Sequence, residues 1–81
     1  MTNQELTLLK NFEQDSEWFH NNNKEIIKRG FVNKFVAVKD KKIISSGKNL
    51  DELIKILEEK GENPSYIFIE FVYPEGFTLI L

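Results

Sequence analysis

The segment Tyr66-Ile67-Phe68-Ile69-Glu70-Phe71-Val72 reads as a β-strand, and neither of its faces is polar enough to stand in water. Successive strand residues point to opposite sides. Ile67, Ile69 and Phe71 therefore share one face, and Tyr66, Phe68 and Val72 share the other. A strand that is apolar on both faces has to be covered on both. The chain has 81 residues to do this with, and a domain near that size buries only roughly 60–65% of the surface its unfolded chain exposes. The expected architecture is thus a small sheet with one face under a helix. The other face lies under the N-terminal helix, a second copy of the chain or another protein.

The remaining elements follow from spacing. Leu50, Leu53, Ile54 and Leu57 stand at i, i+3, i+4 and i+7, one face of a helix over residues 50–60. Asn49 and Glu52 have capping-box spacing at its start, and Gly61 followed by Pro64 ends it. Phe35-Val36-Ala37-Val38 and Ile43-Ile44-Ser45 flank Asp40-Lys41 and read as a hairpin. A two-residue loop pairs Lys39 with Lys42, Val38 with Ile43 and Ala37 with Ile44. Upstream, Thr2 and Glu5 have capping-box spacing, and Phe12, Phe19 and Ile26 recur at seven-residue intervals with Trp18 beside them. Asn21-Asn22-Asn23 interrupts that stripe, so a break is expected, with Asn22 or Asn23 capping a continuation to Arg29 and Gly30 closing it. Pro74-Glu75-Gly76 reads as a turn and Phe77-Thr78-Leu79-Ile80-Leu81 as a last strand. The expected fold is α+β, one domain over residues 1–81. A helical segment (1–30) precedes a β-β-α-β-β unit (34–81) whose three or four strands are ordered 2-1-3-4.

Composition removes whole classes of function. Without cysteine there is no disulfide, no thiolate chemistry and no zinc ribbon. A small secreted domain usually needs such staples, so a cytoplasmic location is expected. No apolar run approaches the ~18 residues of a membrane helix, and the first ten residues do not resemble a signal peptide.

Several strings together carry a resemblance. They are Phe12-Glu13-x-Asp15-x-Glu17-Trp18-Phe19, Phe35-Val36-Ala37-Val38-Lys39-Asp40, Ser46-Gly47, Leu50-Asp51-Glu52-Leu53 and Ile67-x-Ile69-Glu70-Phe71-Val72. Over most of the stretch from residue 12 to residue 72 the chain resembles an uncharacterised family of small archaeal and bacterial proteins. Lys41 departs from it, standing where the family usually has glycine in the hairpin turn. The resemblance implies an α+β fold and, as a role, a regulator or accessory subunit. It implies no reaction, catalytic residue or cofactor.

Candidate chemistry is sparse. His20, the one histidine, forms Glu17-x-x-His20 on a helix, the spacing of di-iron carboxylate bundles, with Glu13 as a further acid. Such a centre needs a second copy of the motif, so no metal is expected. Ser45 and Ser46 have no base tied to them by the sequence, and the four glycines are scattered singly rather than forming a phosphate loop. Glu70 sits mid-strand among apolar neighbours, where burial would disfavour its charged form; more often such an acid faces solvent or pairs with a cross-strand lysine. The expectation is a non-enzyme with no catalytic residue, no cofactor and no small-molecule ligand.

Charge and the strand edges say more. Residues 24–48 hold eight basic side chains against two acids, in a chain of net charge −2. Lys28, Arg29, Lys34, Lys39, Lys41, Lys42 and Lys48 are the residues that nucleic-acid binding would use. A single arginine speaks against that use, because the guanidinium fork is the preferred reader of phosphates and bases. Lysines on a sheet edge also simply prevent aggregation. The favoured expectation is a protein partner or a homodimer, bound through Phe71, Phe77, Leu79, Ile80 and Leu81.

Overall fold

The asparagine run breaks the N-terminal helix as expected, but by a different bond. The structure, a computed structural model, describes residues 3–76. The capping pair Thr2–Glu5 and the last strand expected over residues 77–81 lie outside the described residues. α1 spans Asn3–Asn21 and a short α2 spans Asn23–Ile26. Asn22 makes no side-chain cap bond to α2; its Nδ2 donates instead to the Trp18 carbonyl at 2.8 Å. The side chain thereby competes for α1's last carbonyls, which is how asparagine disfavours helix interiors. Past Ile26 the helix widens into a π turn over Ile27–Phe31 and ends at Gly30, whose φ of 92° suits glycine.

β1 (Phe35–Lys39) and β2 (Lys42–Gly47) form the expected hairpin. Asp40 and Lys41 have φ of 53° and 60°. Two positive values define the type I′ turn that matches strand twist. Lys41 bears this without glycine's freedom, held by its amide donating to Asp15 Oδ1 on α1 at 2.9 Å. Asp15 is buried and stands on the same helical stripe as Phe12 and Phe19. Two outcomes are expected in thermal unfolding. Lys41→Gly relieves ~1–3 kcal/mol of backbone strain against ~0.5–1 kcal/mol of extra chain entropy, so it should stabilise the protein by ~1 kcal/mol. Asp15→Ala leaves the turn amide without its acceptor and should cost ~1–3 kcal/mol, with Asp15→Asn milder because an oxygen remains. A turn variant that melts below the native chain would contradict the strain argument.

The expected register holds at Lys39↔Lys42 and Val38↔Ile43 and then shifts, because Ala37 pairs with Ser45 rather than Ile44. Ile44 is the extra residue of a β-bulge, so Ile44 and Ser45 together oppose Ala37. The Ile44 carbonyl accepts from Lys60 Nζ at 2.8 Å. Among the described residues, the buried Ser45 hydroxyl has no hydrogen-bond partner. An unpaired buried hydroxyl costs free energy, so Ser45→Ala should raise stability by ~1 kcal/mol; a clear loss would reveal a bond to this hydroxyl.

α3 (Leu50–Glu59) follows at once. Asn49 Oδ1 accepts from the Glu52 amide at 2.8 Å, while Glu52 Oε2 reaches back to the Lys48 amide at 2.8 Å, one residue earlier than the usual capping box. At the other end Glu62 N donates to the Leu57 carbonyl and Gly61 N to the Glu58 carbonyl, with Gly61 at φ 80°. This is a Schellman ending. Gly47 is required by packing: a Cβ there would lie 2.9 Å from the Leu53 amide nitrogen.

The strand expected from residue 66 starts later. Asn63 Oδ1 accepts from the Ser65 amide at 3.0 Å and opens a 3-10 turn over Pro64–Tyr66, so Tyr66 is exposed on that turn rather than facing a layer. β3 is Phe68–Phe71. It pairs antiparallel with β1, Phe35↔Phe71 to Val38↔Phe68, and the sheet order is β2-β1-β3. This is the expected 2-1-3 arrangement.

Both faces of the sheet are covered. Phe19 and Ile26 pack on Val36, Val38 and Val72, with Trp18, Ile43 and Phe68 at the margin. On the opposite face Leu53 and Leu57 pack on Ala37 and Ile67, with Phe35, Ile44 and Ile69 beside them. The N-terminal helices, rather than a second copy, thus cover the face that α3 leaves open. Ile43, Ile54 and Ile69 are only half-buried at the margins of these layers. Among the described residues no helix is long and apolar enough to cross a membrane.

Candidate functional site

Among the described residues, the sheet order leaves β3 paired on one side. Val72 N donates to the Lys34 carbonyl at 2.9 Å, so the amide of its neighbour Phe71 faces away from β1. Among the described residues no strand lies on that side. The Phe71 amide is met there by a side chain: Glu70 Oε1 accepts from it at 3.1 Å. Glu70 therefore does neither of the things expected of it. Its strand partner is Val36, not a lysine, and it is half-buried. A ladder of rings runs from the central strand out to this edge, with the centroids of Phe35 on β1 and Phe71 on β3 5.0 Å apart and those of Phe71 and Tyr73 4.9 Å apart, both edge-on.

Beside this edge lies a cleft of 510 Å³. Phe19 and His20 at the end of α1 and Lys24 on α2 form one wall, Glu70 and Phe71 the floor, and the 73–76 turn the other wall. Past the break at Asn22, Asn23 and Lys24 line this cleft together with Glu70 and Phe71. The cleft mixes aromatic surface with two acids, Glu70 and Glu75, and two basic groups, His20 and Lys24. That suits a segment of polypeptide better than a single ion.

The other candidates do not gather. Glu17 lines a separate cleft of 220 Å³ with Trp18, Asn22 and Lys41, while His20, edge-on to Phe19, faces the larger one. Among the described residues no three His, Asp or Glu side chains come together as metal ligands. Ser45 lies opposite Ala37 in the layer beneath α3, and His20 is on the helix covering the other face. The basic residues divide between the two ends of the hairpin. Lys34 and Lys48 flank the end where Phe35 pairs with Gly47, next to the turn that carries Lys28 and Arg29, and Lys39, Lys41 and Lys42 cluster at the other end. Lys39 is engaged by Glu62 at 3.0 Å, and Arg29 lies 5.3 Å from the Phe31 ring centroid. The hydrogen bond and charge of Glu62 hold the Lys39 ammonium above the usual lysine range. The raised value means that the Lys39 side of this pair stays charged through neutral pH, and its contribution is lost as strongly alkaline pH deprotonates Lys39. Both partners are open to water, so the contribution is small.

Of the expected interface, Phe71 lies on the open edge, whereas Phe77, Leu79, Ile80 and Leu81 lie outside the described residues. Sequence reasoning missed the part of Glu70 at this edge and the cleft residues Lys24 and Tyr73. A lone acid inside an apolar strand was the available signal, since an inward charge is one device by which edges are guarded.

A family model matches residues 25–72; its family is described as one of unknown function, DUF5678. The match takes in the sheet and α3, together with the second half of α2. The string Phe12-Glu13-x-Asp15-x-Glu17-Trp18-Phe19 falls before it. No curated protein and no solved structure matches the chain.

Proposed function

The chain belongs to this family of unknown function, and we propose that it is a non-catalytic interaction module whose open β3 edge pairs with an extended segment, from another protein or from a second copy of itself. The observation that carries this is that, among the described residues, β3 is paired on one side and its outward Phe71 amide is met by the neighbouring Glu70 carboxylate. An unpaired edge offers main-chain hydrogen bonds for affinity, and the flanking cleft offers side-chain pockets for selection. In this reading the cytoplasmic protein acts as a regulator or accessory subunit, with Phe71 in the interface and Phe77, Leu79, Ile80 and Leu81 contributing the apolar segment beside it.

The contrasting use, nucleic-acid binding through Lys28, Arg29, Lys34, Lys39, Lys41, Lys42 and Lys48, would need one basic face, and these side chains stand at two ends of the hairpin. Sedimentation of the full chain and of a chain ending at Gly76, over a salt series, separates the two. Strand pairing gives a complex or dimer that survives added salt and weakens on truncation. Phosphate contacts give binding that falls steeply with salt and ignores the truncation. A full chain that stays monomeric and binds only nucleic acid would overturn the proposal.

A further inference from the structure

Resting on that reading, we propose that the β3 edge selects an extended segment of another protein that carries a basic side chain, lysine or arginine, opposite Glu70 and apolar side chains on either side of it. The strand register leads there. Glu70 pairs with Val36, and its own main-chain bonds run to β1, because the outward amide belongs to the next residue, Phe71. A strand added antiparallel on the outer side bonds through Ile69 and Phe71 instead. It meets Glu70 at a non-hydrogen-bonded pair, where Cα atoms are only about 4.5 Å apart and side chains are closest. The residue opposite Glu70 therefore shares its face and lies within reach of its carboxylate. The residues before and after it point to the other face, beside the apolar side chains of Ile69 and Phe71.

Glu70 is open to such a partner. It is half-buried and its neighbour in the sheet is Val36. Among the described residues no cationic nitrogen lies within 4.0 Å of its oxygens. Oε1 accepts from the Phe71 amide at 3.1 Å, a position that the carbonyl of an arriving strand takes over. The displaced carboxylate then needs a donor, and a basic side chain on the arriving strand supplies one as a charge-assisted bond. The cleft of 510 Å³ beside Glu70 has room for so long a side chain. An acid in the same place would set like charges directly opposite each other, which destabilises a sheet. Lys24 and His20 line this cleft as well, but so does Glu75. The walls are thus near balance, and the charge on the strand itself decides the sign of the partner.

Three capped peptides test this, each alternating valine and threonine and differing only at the centre, where arginine, glutamine or glutamate stands between two valines. Amide shifts of the isotopically labelled full-length chain give both the place and the strength of binding. The arginine peptide should shift Ile69, Glu70 and Phe71 and bind about tenfold more tightly than the glutamine peptide, the worth of a hydrogen bond to a charged group, with the glutamate peptide weakest. Glu70→Gln keeps an oxygen for the Phe71 amide, so the edge stays intact. It should bring the arginine and glutamine peptides within about twofold of each other, because the charge that told them apart has gone. Equal binding of all three at β3, or tightest binding of the glutamate peptide, overturns the inference and leaves the edge reading standing. An arginine preference that survives Glu70→Gln overturns it as well, since another group then reads the charge. No shift on β3 with any of the peptides removes the edge reading and this inference with it.

Discussion

Replacing Phe19 by alanine should lower the unfolding free energy by ~3–5 kcal/mol, the cost of removing a buried aromatic side chain and leaving a cavity. Phe19 is 3% exposed and packs with Ile26, Val36, Val38 and Val72, its ring 5.8 Å from that of Phe68. It is the main wedge by which α1 seals one face of the sheet. A domain of this length has a total stability of ~4–12 kcal/mol, so the variant should melt at least ~12 °C lower. The family match begins after Phe19, which gives the experiment a second meaning. The matched residues supply the sheet, α3 and Ile26, whereas α1 adds Phe19 and Trp18 to the cover of Val36, Val38 and Val72. A Phe19→Ala protein with an unchanged midpoint would mean that α1 is not a structural part of the fold.

Leu57→Ala should cost ~2–5 kcal/mol by the same reasoning on the opposite face. Leu57 is fully buried with Leu53, Ala37 and Ile67, and its carbonyl accepts the Glu62 amide that closes α3. The two side chains belong to separate clusters on either side of the sheet. Their effects should therefore add within about 0.5 kcal/mol in the double variant, as distant sites generally do. Coupling well beyond that would show that the layers respond as one unit. Urea unfolding with a constant slope is the suitable measurement, because a changed slope would signal a changed unfolded state rather than a lost contact.

These clusters also show where sequence reasoning reaches and where it stops. α3 was legible because each of its determinants is local: Asn49 and Glu52 three apart, apolar residues on one face, and Gly61 after the last turn. The hairpin was legible for the same reason. The bulge was not, because Ile43 and Ile44 are both apolar and either could oppose Val38 or Ala37 without violating the pattern. The start of β3 was misread because Asn63 and Pro64 carry the turn one residue further than the apolar run suggests. Asp15 and Lys41 lie 26 positions apart, and no periodicity connects a helix acid to a turn amide in a later element. The candidate site was legible only as an inventory. Phe71 and the apolar strand were visible, but that β3 is an edge, that the Glu70 carboxylate covers its outward amide and that α2 walls a cleft beside it all depend on tertiary arrangement.

The claim that this edge is the working surface is tested most directly by amide chemical shifts of the isotopically labelled full chain across a concentration series, or with a captured partner added. The account predicts that shifts concentrate on Ile69, Glu70, Phe71 and Tyr73 and on His20 and Lys24 across the cleft, while β2 and the hairpin turn stay put. Shifts confined to Lys28, Arg29, Lys34, Lys39, Lys41, Lys42 and Lys48, with β3 unmoved, would contradict it.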